Sequence, residues 1–140
     1  MKKMIKVVLT LIMALCIILG VNMGVTYAAM EPGSFEFSFW GERGDTISYS
    51  TWQWKDNDSS CEIEYYDSGA YDVIMSIIAH DGDDYVEDIQ VQEKIYSPGQ
   101  RETIYNWVRE SGYERAAVKG ESTVDSLYYA DGIWIPDTRE

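Results

Sequence analysis

Ala70-Tyr71-Asp72-Val73-Ile74-Met75-Ser76-Ile77-Ile78-Ala79-His80-Asp81 is the stretch whose reading decides the fold. Val73, Ile74, Met75, Ile77, Ile78 and Ala79 make it apolar. Four of those six are β-branched, which restricts χ1 and suits a pleated, buried surface. Turn-rich clusters bound the run, Asp67-Ser68-Gly69 before it and Asp81-Gly82-Asp83-Asp84 after it. A short apolar run between turn signals reads as a strand buried on both faces. Ala70, Val73, Ile74, Ile77 and Ile78 also keep the i, i+3, i+4 spacing of a helix, but the glycines and the β-branched content decide for the strand.

Working outward, the neighbouring segments alternate as strands with one wet face do. Ser34–Trp40 sets Phe35, Phe37 and Phe39 against Glu36 and Ser38. Thr46–Lys55 splits into Ile47, Tyr49 and Thr51 on one side and Ser48, Ser50, Trp52 and Trp54 on the other. Cys61, Ile63 and Tyr65 alternate with Glu62, Glu64 and Tyr66. Tyr85–Ile95 reads as a further strand, with Ile89 and Val91 inward and Gln90 and Gln92 outward. Segments 124–129 and 132–135 close the sheet, and Pro136 ends it. Ser97–Gly112 reads two ways. Ser97, Pro98, Gln100 and Gly112 could cap a short helix near 98–111, with Ile104, Trp107 and Val108 at helical spacing. The preferred reading is a hairpin, Ile104–Val108 turning at Glu110-Ser111-Gly112 into Tyr113–Lys119. Many short strands with turn signals between them predict an all-β, single-domain β-sandwich of antiparallel strands.

The first 28 residues read differently. Lys2, Lys3 and Lys6 precede an apolar run from Val7 to Val21 and a small-residue exit at Ala28. That is the pattern of a secretory signal peptide, Met1–Ala28, and it predicts a secreted domain at Ala29–Glu140 with no membrane anchor after cleavage. Removing it takes the basic residues from 11 to 8 against 24 acidic ones, a formal charge of −16. Such a charge repels nucleic acid and anionic membranes. Cys61 is the cysteine left, so no intrachain disulfide forms; it reads as a small buried hydrophobe, with an intermolecular disulfide as the alternative.

Candidate chemistry is sparse. Asp81, Asp83 and Asp84, at the end of the central strand, are a candidate calcium site, because calcium takes hard oxygen ligands. The spacing is not that of an EF-hand, and a solvated hairpin turn is the plainer reading. Trp52 and Trp54 share a strand face, and Trp40 ends the preceding strand. These tryptophans are a candidate ligand or partner surface, for sugar rings or a protein. The alternative is that one or both turn inward across a bulge and fill the core. Catalysis is not expected. His80 is the single histidine, and the Gly-x-Ser-x-Gly and His-Glu-x-x-His motifs are absent. A chain this short also leaves little room for a cleft between two carboxylates.

Three ordered blocks carry a family resemblance: Lys55-Asp56-Asn57-Asp58-Ser59-Ser60, Asn106-Trp107-Val108-Arg109-Glu110-Ser111-Gly112-Tyr113, and Gly132-Ile133-Trp134-Ile135-Pro136-Asp137. They resemble an uncharacterised family of small secreted proteins from Gram-positive bacteria, often encoded beside bacteriocin-type ABC exporters. Where that family has the more polar Trp-Ser-Pro-Asp, this chain has Trp134-Ile135-Pro136-Asp137. The resemblance implies a context and no catalytic residue. The expectation is therefore a secreted, acidic, non-catalytic protein, a bacteriocin-like effector or accessory protein with an unidentified cell-envelope or protein target. The alternatives are a cell-surface or polysaccharide-binding module and a calcium-stabilised extracellular domain.

Overall fold

The computed structural model describes residues 32–41, 46–89 and 91–138, which form two antiparallel sheets, one of them curled into a half-barrel. The expected signal peptide, Met1–Ala28, lies outside the described residues. Ten strands follow in order: β1 Gly33–Trp40, β2 Ile47–Tyr49, β3 Gln53–Trp54, β4 Cys61–Tyr65, β5 Val73–Asp81, β6 Asp84–Val86, β7 Glu93–Tyr96, β8 Arg101–Ile104, β9 Arg115–Ser122 and β10 Leu127–Ile135. The first sheet runs β1-β10-β4-β8. The second runs β2-β9-β5-β6, with β3 also on β9 and β7 also on β5.

Alternation along the strands builds the core between the sheets. Phe35, Phe37 and Phe39 of β1 point inward with Cys61, Ile63 and Tyr65 of β4, and Val73, Met75, Ile77 and Ala79 of β5 meet them from the other side. The rings of Phe35 and Phe37 stack at 4.8 Å. β9 passes close beneath Phe37, and Gly120 makes that approach possible: a Cβ there would run into the phenyl ring.

The central strand is closed on both faces, as its composition predicts. Ser76, Ile78 and His80, opposite the core side, are all buried. β6 returns along β5 through the expected acidic turn, where Gly82 takes a φ of +61°.

Three expectations need correction. The described residues of 98–111 form no helix, and the expected hairpin is absent too. β8 ends at Ile104 and pairs with β4 in the first sheet, whereas β9 belongs to the second. The chain crosses between sheets in between, through a tight turn in which Tyr113 N–H donates to Val108 O (3.0 Å). Ile104, Asn106 and Val108 are buried while Tyr105 and Trp107 are exposed. That is a period of two, which breaks the helical face that needed Trp107 inside. The capping residues serve a turn instead: Gln100 N–H donates to Ser97 O (3.0 Å), with Pro98 next and Gly99 at φ +84°.

Second, Thr46–Lys55 is not one strand. Tyr49 pairs with Lys119 but Gln53 with Ala116, so four steps on one strand match three on its partner. This is a bulge. Ser50 holds it, donating its own N–H to Val118 O (2.9 Å) and accepting the Val118 N–H on its hydroxyl (2.9 Å). Third, Tyr85–Ile95 breaks into β6 and β7; Ile89 packs on the core, but Val91 is exposed.

Candidate functional site

The bulge at Ser50 decides what the outer face of the second sheet carries. Side chains alternate strictly along a strand, so one inserted residue reverses the alternation. Tyr49 and Trp54, of opposite parity in sequence, thus come to the same face, opposite Lys119 and Arg115. Trp52, from the connecting segment, joins them. A file of rings results. Trp54 meets Trp52 edge to face at 5.5 Å, Trp52 stacks on His80 at 5.9 Å, His80 meets Tyr85 at 4.9 Å, and Tyr85 stacks on Tyr49 at 4.4 Å. The Tyr85 hydroxyl donates to Ser50 O (3.1 Å), fixing the ring against the bulge.

Exposure is uneven along the file. His80 is 7% exposed, and its Nδ1 has no hydrogen-bond partner. Trp52 is 37% and Trp54 51% exposed. The Arg115 guanidinium lies over both indoles, 4.9 Å from the Trp52 ring and 5.9 Å from the Trp54 ring, an arrangement the ring quadrupole favours.

At the Tyr49 end the charges are paired. Lys119 Nζ lies 2.9 Å from Glu87 and 2.5 Å from Glu121, and the Tyr49 hydroxyl donates to Glu87. Burial, reinforced by the Glu87 carboxylate, pushes the Tyr49 phenol up to about 12. The hydrogen bonds from Tyr49 and Lys119 hold Glu87 below the usual carboxylate range. Burial works against the Lys119 ammonium, but its bonds to Glu121 and Glu87 raise it overall.

The sequence-predicted residues therefore separate. Trp52 and Trp54 come together, whereas Trp40, half exposed, lies on the outer side of β1 in the other sheet. Asp81, Asp83 and Asp84 all sit on the exposed acidic turn. Among the described residues no group of three His, Cys, Asp or Glu side chains is placed to hold a metal ion. His80, Tyr85, Tyr49 and Arg115 were missed by sequence reasoning. The signal was available for His80 alone, since it alternates with the inward Ile77 and Ala79.

A second constellation is built around a buried lysine, Lys55. Lys55 Nζ donates to Ser59 O (2.5 Å), Pro136 O (2.8 Å) and Asp137 Oδ1 (2.9 Å), so all three of its protons are used. Asp137 also accepts the N–H of Asp56 (2.8 Å) and of Asn57 (3.3 Å). Beside them the Cys61 thiol donates to Pro136 O (3.1 Å), and Asn106 Nδ2 donates to Ser59 O (3.3 Å). Burial pushes the Cys61 thiol up to about 12, which leaves it unreactive. The three blocks that carry the family resemblance thus meet in one place, and what they build there is a knot tying the C-terminal segment to β4. Next to the knot an open hollow of about 360 Å³ is lined by Asp58, Ser60, Tyr105, Trp107 and Glu110 among others. Tyr105 and Trp107 are both exposed there.

No curated protein and no solved structure matches the chain. A family model described as a protein of unknown function, DUF2712, matches residues 25–138. That span contains every strand, the ring file and all three blocks of the buried knot, and the chain belongs to the DUF2712 family.

Proposed function

We propose that this is a secreted, non-catalytic binding module that takes a saccharide of the cell envelope on the outer face of its second sheet. One observation carries the reading: the bulge turns Trp52 and Trp54 outward into a continuous ring file, although Trp residues are normally well buried. The face of an indole is electron-rich, and the C–H bonds on one side of a pyranose present the complementary positive edge. Secretion rests on the basic, apolar leader Met1–Ala28. The test is intrinsic tryptophan fluorescence of the purified protein, titrated with wall polysaccharides. A saturable change that Trp54→Ala abolishes supports the module. Unchanged fluorescence, with no retention on immobilised polysaccharide, overturns it.

A second reading is an extracellular effector or accessory protein of a bacteriocin-like system. Trp107 supports it, because this exposed tryptophan lies within a block that carries the family resemblance and contributes little to the core. The protein would then inhibit growth of some related Gram-positive strains. Inactivity across a broad panel removes the effector and leaves the module.

A further inference from the structure

We propose that the notch formed by Trp52, Trp54 and Arg115 selects acidic sugars, pairing the carboxylate of a uronic acid unit with Arg115 while the pyranose ring lies on Trp54. This rests on the saccharide reading of the same face and goes beyond it by assigning the charge of the ligand.

The argument starts from how this chain treats its other cations. Among the described residues every other lysine and arginine has a carboxylate within reach: Lys55 with Asp137, Lys94 with Glu102, Arg101 with Glu62 and Glu64, Arg109 with Glu114, and Lys119 with Glu87 and Glu121. Acidic residues outnumber basic ones by 24 to 11, so carboxylates are plentiful. Arg115 nevertheless rests on two indoles. Among the described residues the one side-chain hydrogen bond it makes is long, Nη1 to Gly82 O at 3.4 Å. Most of its five N–H donors are therefore unused, in the planar fork that fits a carboxylate bidentately.

A second, independent observation points to a ligand at the same spot. His80 forms the floor under Trp52, nine-tenths buried, and its Nδ1 is unpartnered. A buried polar atom without a partner is costly, and a sugar hydroxyl admitted by a tilt of Trp52 would satisfy it.

The surroundings limit the ligand to one negative charge at a time. Arg115 borders the turn that carries Asp81, Asp83 and Asp84, and the whole chain has a formal charge of −13. A polyphosphate backbone running across this surface would be repelled. A single carboxylate on an otherwise neutral sugar meets the arginine and leaves its ring to the indole.

The experiment titrates the purified protein with an oligosaccharide bearing one glucuronate among neutral sugars, and with the same oligosaccharide after carboxyl reduction. The acidic form is expected to bind about tenfold tighter or more, the value of a charge-assisted pair. Arg115→Gln should bring the two affinities together, and Arg115→Lys should restore part of the difference, since a point charge cannot make the bidentate pair. Both variants should melt within a few degrees of the parent protein, as the loss of a single cation–π contact allows. Equal affinity of the parent protein for the two forms overturns the acidic selectivity and leaves the saccharide reading standing. Binding of neither form overturns both.

Discussion

Lys55 follows directly on β3 and Arg115 is the first residue of its partner β9, yet the two could hardly be treated more differently. Lys55 is sealed from solvent with each ammonium proton on an oxygen. Arg115 is half-buried against two indoles, and among the described residues most of its donors are unused. A buried charge is tolerated when every proton is matched, and removing either partner strands the other. An exposed cation on aromatic rings loses little if it is removed. The contrast separates a residue that maintains the architecture from one that is free to meet something else.

Breaking the knot should give the largest effect. Asp137→Ala leaves the Lys55 ammonium buried without its counter-charge, and should cost about 3–5 kcal/mol of unfolding free energy. Urea unfolding reads it directly, as a lower midpoint at unchanged slope. Lys55→Met removes the charge but keeps the bulk, leaving Asp137 its N–H donors from Asp56 and Asn57, and should cost less. Equal losses for the two would mean that packing, and not charge, holds the knot.

The two faces of β9 offer the next comparison. Arg115 looks outward, whereas Gly120 on the same strand lets Phe37 approach. Gly120→Ala places a methyl group against the ring and should destabilise by about 1–3 kcal/mol, as overpacked cores do. A melt within a degree of the parent would show that the phenyl ring yields freely.

These contrasts also show what could be read in advance. The fold class was legible because β1 and β4 keep a strict period of two while β5 is an apolar, β-branched run between turns, and most of the core follows from those patterns. Trp52 and Trp54 are exposed as the alternation of Thr46–Lys55 suggested, but by another route, because the bulge at Ser50 reverses that alternation before it reaches them. What escaped depends on single side chains or on register. Ser50 substitutes its hydroxyl for a backbone acceptor, and the resulting bulge puts Tyr49 beside the tryptophans. Asn106 and Val108 continue the alternation of β8 past Ile104 with no ladder beside them, so the pattern could not announce a crossing between sheets. Arg115 and Tyr85 reach the site from strands far apart in sequence, and Trp40 is lost to it because β1 belongs to the other sheet.

The paired end of the ring file should show itself in pH dependence. Glu87 has a folded pKa below its unfolded one, so its contribution is present above the ordinary value of 4.5 and lost as pH falls through the depressed one. Tyr49 is raised from 10.0 to about 12, so its contribution is complete below pH 10 and lost as pH climbs towards 12. Glu87 is partly exposed, and solvent screening limits the pair to under about 1 kcal/mol. Melting temperatures measured from pH 3 to 11 should fall at both limbs, and Tyr49→Phe should flatten both. An unchanged alkaline limb in that variant would place the alkaline loss on another group.

The smallest effect on stability is expected where the proposed ligand binds, and that smallness sharpens the comparison. Trp54 is half exposed and Arg115 has no carboxylate among the described residues, so neither removes a matched buried group when replaced. Arg115→Gln should change the unfolding free energy by about 0.5–1 kcal/mol, the worth of an exposed cation–π contact, and Trp54→Ala by a similar amount. Trp52→Ala should cost more, because it uncovers His80. A ranking with Arg115→Gln near the parent and Asp137→Ala far below it marks the outer face as surface the fold does not require. A loss at Arg115 comparable to that at Asp137 would make the indole notch part of the architecture, and the case for a ligand there would have to rest on binding data alone.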